Sequence, residues 1–280
     1  LNQSGDEEGC HLENGVVRTP KGFKEAFKAY ADGGWNKLGV PEELGGANLP
    51  SVITFAFSEM GSSANQAFAM YPGLSGAALG ALWATGEDWM RKHVATRMAD
   101  GDWAGTMCLT EPNCGTDLKL MKTHAVKQAD GTYRLTGTKI FISGGDQDMT
   151  ENIIHMVIAK IPGEDGKLAD DLSTVNFFMV PKLLVDPETG AITGRNGVST
   201  GAVEKKMGIK GNATCVLNFD NAVAYHLKGR PSTVKTETGE VKKSKSAGMA
   251  GMFGMMNGAR MGVGIQGIAV GEVAYQNGVA

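Results

Sequence analysis

Two stretches of this chain carry residue types at spacings that could do chemistry. The first is Met107-Cys108-Leu109-Thr110-Glu111-Pro112-Asn113-Cys114-Gly115-Thr116-Asp117, and the second, one hairpin later, is Lys139-Ile140-Phe141-Ile142-Ser143-Gly144-Gly145. The hydroxyls of Thr110, Thr116 and Ser143 and the backbone N–H groups near Gly115 are hydrogen-bond donors that a bound ligand could use. Thr-Glu-Pro alone is a generic turn. Both segments in order, at hairpin separation and on strand-like runs, make a specific combination.

Other patterns look chemical and are not. Gly262-Val263-Gly264-Ile265-Gln266-Gly267 fits G-x-G-x-x-G, but a dinucleotide fingerprint needs a strand before it and an acidic residue about 20 positions later. Neither accompanies this run. Gly254, Gly258 and Gly262 instead fall at i, i+4 and i+8 of a helical pattern, where small residues predict close helix packing. Cys10, Cys108, Cys114 and Cys215 show no C-x-x-C, and His11, His93, His124, His155 and His226 show no H-E-x-x-H. That spacing argues against a disulfide framework and a zinc site, and makes a reducing cytoplasm the expected compartment.

The elements that must position these residues follow from the periodicity. Leu1 to about Gly101 predicts helices with Gly/Pro joints at Lys37–Pro41 and Glu43–Gly46. Thr85 and Asp88 form a capping-box pattern that predicts a helix start, with Met90, Val94 and Met98 on its core face and Gly101 at its end. After Trp103 the period becomes strand-like. Thr123–Gln128 and Thr132–Thr136 flank the turn Asp130-Gly131, and Thr138–Ser143, Ile153–Ile161, Thr174–Val180 and Thr214–Phe219 predict further strands of an antiparallel sandwich or barrel. Leu227–Ser246 is basic and polar and predicts an exposed loop, and the helical period returns at Ala247. The expected fold is therefore α+β: a helical segment over 1–103, a central β domain over 104–226, a linker over 227–246 and the start of a helical bundle over 247–280.

The 280 residues suffice for about two domains. A formal charge of -3 gives no broad footprint for nucleic acid or an anionic membrane. Arg260 and Glu272 interrupt the one candidate for the roughly 18 apolar residues of a membrane span. The chain starts at Leu1 without Met and stops at Ala280 inside a helical pattern, so both ends read as cut.

The pair of stretches closely resembles the acyl-CoA dehydrogenase family, whose pattern runs through Thr-Glu-Pro and Gly-Ser/Thr-Asp to Lys-x-Trp/Phe-Ile-Thr/Ser. The resemblance covers nearly the whole chain, including Gly34-Trp35 through Gly46 and Lys206-Met207-Gly208-Ile209-Lys210-Gly211. Cys108–Pro112, Asn152-Ile153-Ile154-His155 and Ala259–Gly264 are most similar to the longer bacterial branch that includes 3-methylmercaptopropionyl-CoA dehydrogenases. Arg230–Ser246 departs from the family pattern.

The resemblance implies FAD as cofactor and α,β-desaturation of an acyl-CoA thioester, with 3-methylmercaptopropionyl-CoA or a short or medium fatty acyl-CoA as substrate. It implies that the backbone at Met107 and Leu109 and the hydroxyl of Thr110 contact the isoalloxazine, with Gly115 nearby. Thr116 would reach the flavin diphosphate and the CoA moiety, and Phe141, Ile142 and Ser143 would line the flavin. Asn257 and Arg260 occupy the family's Asp-x-x-Arg segment at the acyl-CoA, with Asn257 replacing the Asp. The Arg260 guanidinium would meet a CoA phosphate, a polar substrate group or a carboxylate of another helix. The base, a Glu, is expected downstream of Ala280. Electron-transfer flavoprotein as acceptor and a homodimer or homotetramer are implied as well. An acyl-CoA oxidase and a non-catalytic homologue used for binding or assembly are the alternatives.

Overall fold

Local turn chemistry shapes the first hundred residues of the computed structural model, which describes residues 1–228, 233–235, 241–243 and 247–280. α1 (Asn2–Glu7) leads into a ladder of β1 (His11–Glu13) against β2 (Val16–Arg18). The pattern predicts helix here, but Asn14-Gly15 turns the chain with both residues at positive φ, 50° and 76°. That is the two-residue turn whose twist matches a hairpin. α2 (Phe23–Asp32) then buries Phe23 and Phe27, one turn apart.

α3 (Ser51–Thr85) is long and kinked. Asn65 leaves helical geometry at φ -161° and ψ 100°, and its side-chain oxygen accepts the Phe68 N–H at 2.7 Å. Asn65 thus caps the second half of α3 as an N-cap residue does. Thr85 ends this helix rather than starting the next, because its hydroxyl donates to Ala81 O at 2.7 Å and Gly86 N donates to Leu82 O at 2.7 Å. The predicted stripe nevertheless faces the core. Met90, Val94 and Met98 are all buried, on a wide turn over Met90–Ala95 and on α4 (Thr96–Asp100), which Gly101 closes at φ 83°.

The β domain begins with β3 (Trp103–Cys108) and continues through β4 (His124–Lys127), β5 (Tyr133–Ser143), β6 (Asn152–Lys160), β7 (Val175–Pro181), β8 (Leu183–Val185), β9 (Ile192–Arg195), β10 (Val198–Val203) and β11 (Thr214–His226). The main sheet has the order β10-β11-β5-β4-β6-β3, and β7 bridges β11 and β6. Asp130-Gly131 turns β4 into β5 as expected, with Thr132 N and Oγ1 both donating to Asp130 Oδ1. The two strands predicted on either side of Gly137 are one continuous strand, β5.

The sheet is mixed rather than antiparallel, since β3 and β4 each pair parallel with β6. A parallel pair needs a long crossover, and the β4–β5 hairpin lies inside the one that joins β3 to β6. All nine residues of β6 are buried, because both of its faces are covered. Ile154, Met156 and Ile158 pack with Leu82, Met90 and Met98 of the helical layer, while Val157 and Ala159 pack with Leu135, Ile142 and Phe219 inside the sheet.

Within 227–246, where a loop is predicted, β12 (Thr233–Lys235) pairs with β13 (Val241–Lys243). The remaining part of that prediction, at 229–232, 236–240 and 244–246, lies outside the described residues. α5 (Ala247–Val279) lies along α3, where Ser63 Oγ donates to Ala269 O at 3.4 Å and Gln66 Nε2 to Gln266 Oε1 at 3.3 Å. Its buried face is Met252, Met255 and Ala269. The glycine stripe does not pack as expected: a Cβ at Gly254, Gly258 or Gly262 would meet nothing within 4 Å.

A close glycine contact does occur between α3 and β3. A Cβ on Gly105 would lie 2.5 Å from Ala78 Cβ and 2.7 Å from Met98 Cε, and the Gly105 N–H donates to Ser75 Oγ at 3.0 Å. Gly105→Ala should therefore cost about 1–3 kcal/mol by overpacking. Equal urea midpoints and slopes for the two proteins would show that this contact has room to spare.

Candidate functional site

β3 delivers the first motif and β5 the second. Cys108 points into the sheet's inner core while Met107 and Leu109 pack against the helical layer. Beyond Leu109 the chain folds back on itself, with Glu111 N donating to Cys114 O at 2.8 Å and Cys114 N to Glu111 O at 3.0 Å. Pro112, with its preset φ, sits at a corner of this turn. The next turn is tied by Asn113 Nδ2 to Leu120 O at 2.7 Å, by Cys114 Sγ to Asp117 O at 3.2 Å and by Lys119 N to Asp117 Oδ1 at 3.2 Å.

A buried ion pair joins the two motifs. Lys139 Nζ donates to Glu111 Oε1 at 2.9 Å and to Leu109 O at 2.9 Å, and Ile140 N donates to Thr110 O at 2.9 Å. The Lys139 side chain is 0% exposed and that of Glu111 2%. Glu111 also accepts Lys122 N at 2.8 Å and Thr123 N at 3.2 Å. Burial alone would raise the Glu111 carboxyl, but Lys139 and the Thr123 and Lys122 donors outweigh it and hold the pKa below its ordinary value. Burial lowers the Lys139 ammonium, and Glu111 offsets only part of that.

The groups left facing outward are the predicted ligand donors. Gly115 and Thr116 are exposed, and among the described residues neither N–H has a protein acceptor. Thr110 and Ser143 are half-buried, with no described partner for either hydroxyl. Phe141 is 60% exposed and sits at φ 58°. Backbone strain of this kind costs about 1–3 kcal/mol and persists where surrounding structure imposes it; here buried Lys139 and Ile142 lie on either side. Ile142 differs from the expectation, since its side chain is in the inner core, 2% exposed, and only its backbone could face a ligand. Asn257 and Arg260 are exposed on α5 and bond each other at 3.0 Å. Among the described residues no hydrogen bond or ion pair links them to the Thr110–Thr116 loop.

Sequence reasoning quoted Glu111 and Lys139 inside the motifs but missed their role. The available signal was Lys139 at an inward position of β5, two pairs of residues after buried Leu135. Two further buried groups were also missed. Asp146 pairs with Lys182 and accepts Thr200 Oγ1 at 2.8 Å, fixing the turn after Ser143. His155, lowered by burial to about 3, bonds Thr106 Oγ1 at 2.8 Å beside Met107. A cleft of about 230 Å³ lined by Asn65, Gln66 and Lys210 lies apart from these motifs. Among the described residues no helix is long and apolar enough to cross a membrane, and no cluster of three metal-ligating side chains occurs.

The family model of the acyl-CoA dehydrogenase N-terminal domain matches residues 13–102, and that of the middle domain matches residues 106–222. The chain belongs to the acyl-CoA dehydrogenase family. Over 280 residues it is 39% identical to 3-methylmercaptopropionyl-CoA dehydrogenase of Ruegeria pomeroyi, covering 100% of this chain and 44% of that protein. Butyryl-CoA dehydrogenase of Megasphaera elsdenii shares the fold at a TM-score of 0.70 and 22% identity, over 100% of this chain and 63% of that one. An acyl-CoA dehydrogenase of Bacillus anthracis, solved in complex with FAD, matches at a TM-score of 0.66 and 26% identity, over 88% of this chain and 37% of that one. The chain spans less than half the length of curated relatives it matches, such as the Ruegeria pomeroyi dehydrogenase.

Removing one partner of a buried pair leaves the other charge uncompensated. Lys139→Met should therefore cost about 3–5 kcal/mol in urea unfolding at neutral pH, and adding Glu111→Gln should recover part of it. The folded Glu111 carboxyl titrates below its unfolded value, so in acid the unfolded state binds more protons. The pair's stability is complete above the unfolded value of about 4.3 and is lost as pH falls through the folded one. The double variant should lack this acid limb; identical pH profiles would show that the pair does not hold the motifs together.

Proposed function

We propose that this chain carries the flavin-binding part of an FAD-dependent acyl-CoA dehydrogenase that desaturates the α,β bond of an acyl-CoA thioester. One observation carries the reading: a buried ion pair locks two motifs together and leaves the Gly115 and Thr116 N–H groups, the Thr110 and Ser143 hydroxyls and a strained aromatic without protein partners among the described residues. Such a constellation fits FAD. The unengaged N–H groups of Gly115 and Thr116 with the Thr116 hydroxyl suit its diphosphate, and Thr110, Ser143 and the backbone at Met107, Leu109 and Ile142 suit its ring. Phe141, exposed and conformationally fixed, would offer a rigid apolar edge.

When bound, FAD supplies the hydride acceptor for the substrate's β-carbon. The chain's own part is orientation and exclusion of water. The half-buried wall of Met107 and Leu109, backed by the helical layer, keeps one side of the site apolar, so hydrogen bonds made there act in a medium of low dielectric. Removing the α-proton needs a carboxylate poised as a base. Glu111 is unsuited to that task, being buried and already bonded to Lys139, Lys122 and Thr123. Asp117 accepts Lys119 N. We assign the base to no residue of this chain.

The identity to 3-methylmercaptopropionyl-CoA dehydrogenase supports that thioester, or a short or medium acyl-CoA, as substrate. Asn257 and Arg260 would contact the acyl-CoA from α5. A cytoplasmic homodimer or homotetramer delivering electrons to electron-transfer flavoprotein completes the proposal, with domain divisions at 103, 226 and 246.

Two measurements test it. The whole protein, carrying FAD and kept anaerobic, should bleach with butyryl-CoA, octanoyl-CoA or 3-methylmercaptopropionyl-CoA. Absence of flavin after added FAD would favour a binding or assembly role, and aerobic turnover yielding hydrogen peroxide would favour an oxidase. Thr116→Ala should weaken both FAD and CoA-ester binding by about 1.5–3 kcal/mol, the worth of a hydrogen bond to a charged group. Unchanged affinity for both ligands would remove Thr116 from the site.

A further inference from the structure

β3 is the last strand of the main sheet and pairs with β6, so its other edge is open. Strand alternation decides which peptide groups leave on that edge. Glu151 N donates to Asp102 O at 3.0 Å, which turns the even-numbered residues toward β6, and Gly105 N donates to Ser75 Oγ at 3.0 Å, which turns the odd-numbered ones away from it. Met107, two residues beyond Gly105, therefore presents its N–H and carbonyl at the open edge. It is half-buried, and among the described residues no side chain or loop group bonds either atom. A half-buried peptide group of this kind takes its partner from solvent or from a ligand. The next residues along the chain, Leu109 and Thr110, lead into the loop that carries Gly115 and Thr116.

What fixes this edge lies behind it, inside the sheet. Thr106, directly before Met107, turns its hydroxyl inward, where Thr106 Oγ1 and His155 Nδ1 lie 2.8 Å apart, and the two residues are register partners across β3 and β6. They are 0% and 1% exposed. Burial holds the imidazole neutral, so the link does not titrate at ordinary pH. The ring has little freedom: Phe219 meets it edge-on at 6.1 Å, and Asp146, Lys182 and Thr200, already bonded to one another, line a pocket of about 10 Å³ beside it. An apolar pair would fill this place with less desolvation. A hydroxyl–imidazole bond is directional where an apolar contact is not, so it sets the tilt of Thr106 and with it the direction of the next peptide N–H.

We propose that His155 is a positioning residue for the flavin ring: through Thr106 it aims the Met107 N–H at a carbonyl or ring nitrogen of the isoalloxazine. This rests on the flavin-site reading above. It adds a residue that acts on the ligand from inside the sheet without touching it.

Three variants of the whole protein separate aim from fold. Thr106→Val keeps the shape and removes the hydroxyl, His155→Leu removes the imidazole, and His155→Asn keeps an amide near the place of Nδ1. For each, FAD affinity, the absorption bands of the bound flavin and the urea midpoint are measured. Thr106→Val and His155→Leu should each lose about three- to tenfold in FAD affinity, the scale of one hydrogen bond, and shift the flavin bands in the same direction. Combining the two should cost no more than either alone, because both break one bond, and His155→Asn should bring affinity and bands back toward those of the unsubstituted protein. A bond that served the fold alone would lower the urea midpoint and leave the bands where they were. Unchanged bands in folded, FAD-loaded variants, additive losses in the double variant, or no recovery in His155→Asn would overturn the assignment. So would failure of both Thr106→Val and His155→Leu to fold. Absence of FAD binding by the unsubstituted protein would instead overturn the flavin-site reading itself, and this inference with it.

Discussion

The contact between Lys139 and Glu111 is the constraint on which the rest of this domain depends. Moving two ions out of water carries a penalty of several kcal/mol per ion, which their mutual attraction offsets only when further hydrogen bonds fill the remaining positions. Here Leu109 O takes a second proton of the ammonium, and the Lys122 and Thr123 N–H groups take the carboxylate. The partners come from a turn and a strand that are distant in sequence, so the pair specifies register as well as proximity. A slip of β5 by one residue would turn Lys139 outward and bring Ile140 to the carboxylate, an arrangement with no compensation.

That constraint divides the β domain by polarity. Three lysines behind the motifs are held by fixed partners: buried Lys139 by Glu111 and Leu109 O, buried Lys160 by two carbonyls, and half-buried Lys182 by buried Asp146. Uncharged donors lie outside, on Thr110, Gly115, Thr116 and Ser143. In such a division the atoms that hold the loop are not the donors that the loop turns outward. His155 extends the same scheme to the far side of β3, where a neutral imidazole bonds Thr106 rather than adding another buried charge.

Much of this was legible in the residues, and the failures have physical causes. The Asp130-Gly131 hairpin and the stripe of Met90, Val94 and Met98 formed because each rests on local geometry that no tertiary contact opposes. Asn14-Gly15 carried an equally local signal, overlooked beneath a helical reading of its surroundings. Other features have no local signature. Asn65 interrupts an apolar helical run, and only the fold shows that its side chain caps the second half of α3. Parallel pairing of β3 with β6 depends on a crossover whose path is decided by packing. Small residues at Gly254, Gly258 and Gly262 looked like a packing face, yet α5 meets α3 through its methionines and Ala269. The outward N–H groups at Gly115 and Thr116 belong to residues the motifs already singled out. The lysines behind them were not, because a lysine reads as a surface residue until burial is known.

The parallel pair has a consequence for the order in which this chain can assemble on the ribosome. Trp103 pairs with Asn152, so β3 waits for a partner that emerges roughly fifty residues later, or about 2–10 s at the usual 5–20 residues per second of synthesis. Gly105 lets α3, already made, lie almost against the strand in the meantime. The helical layer can thus shelter one face of a nascent apolar strand while its edge awaits β6.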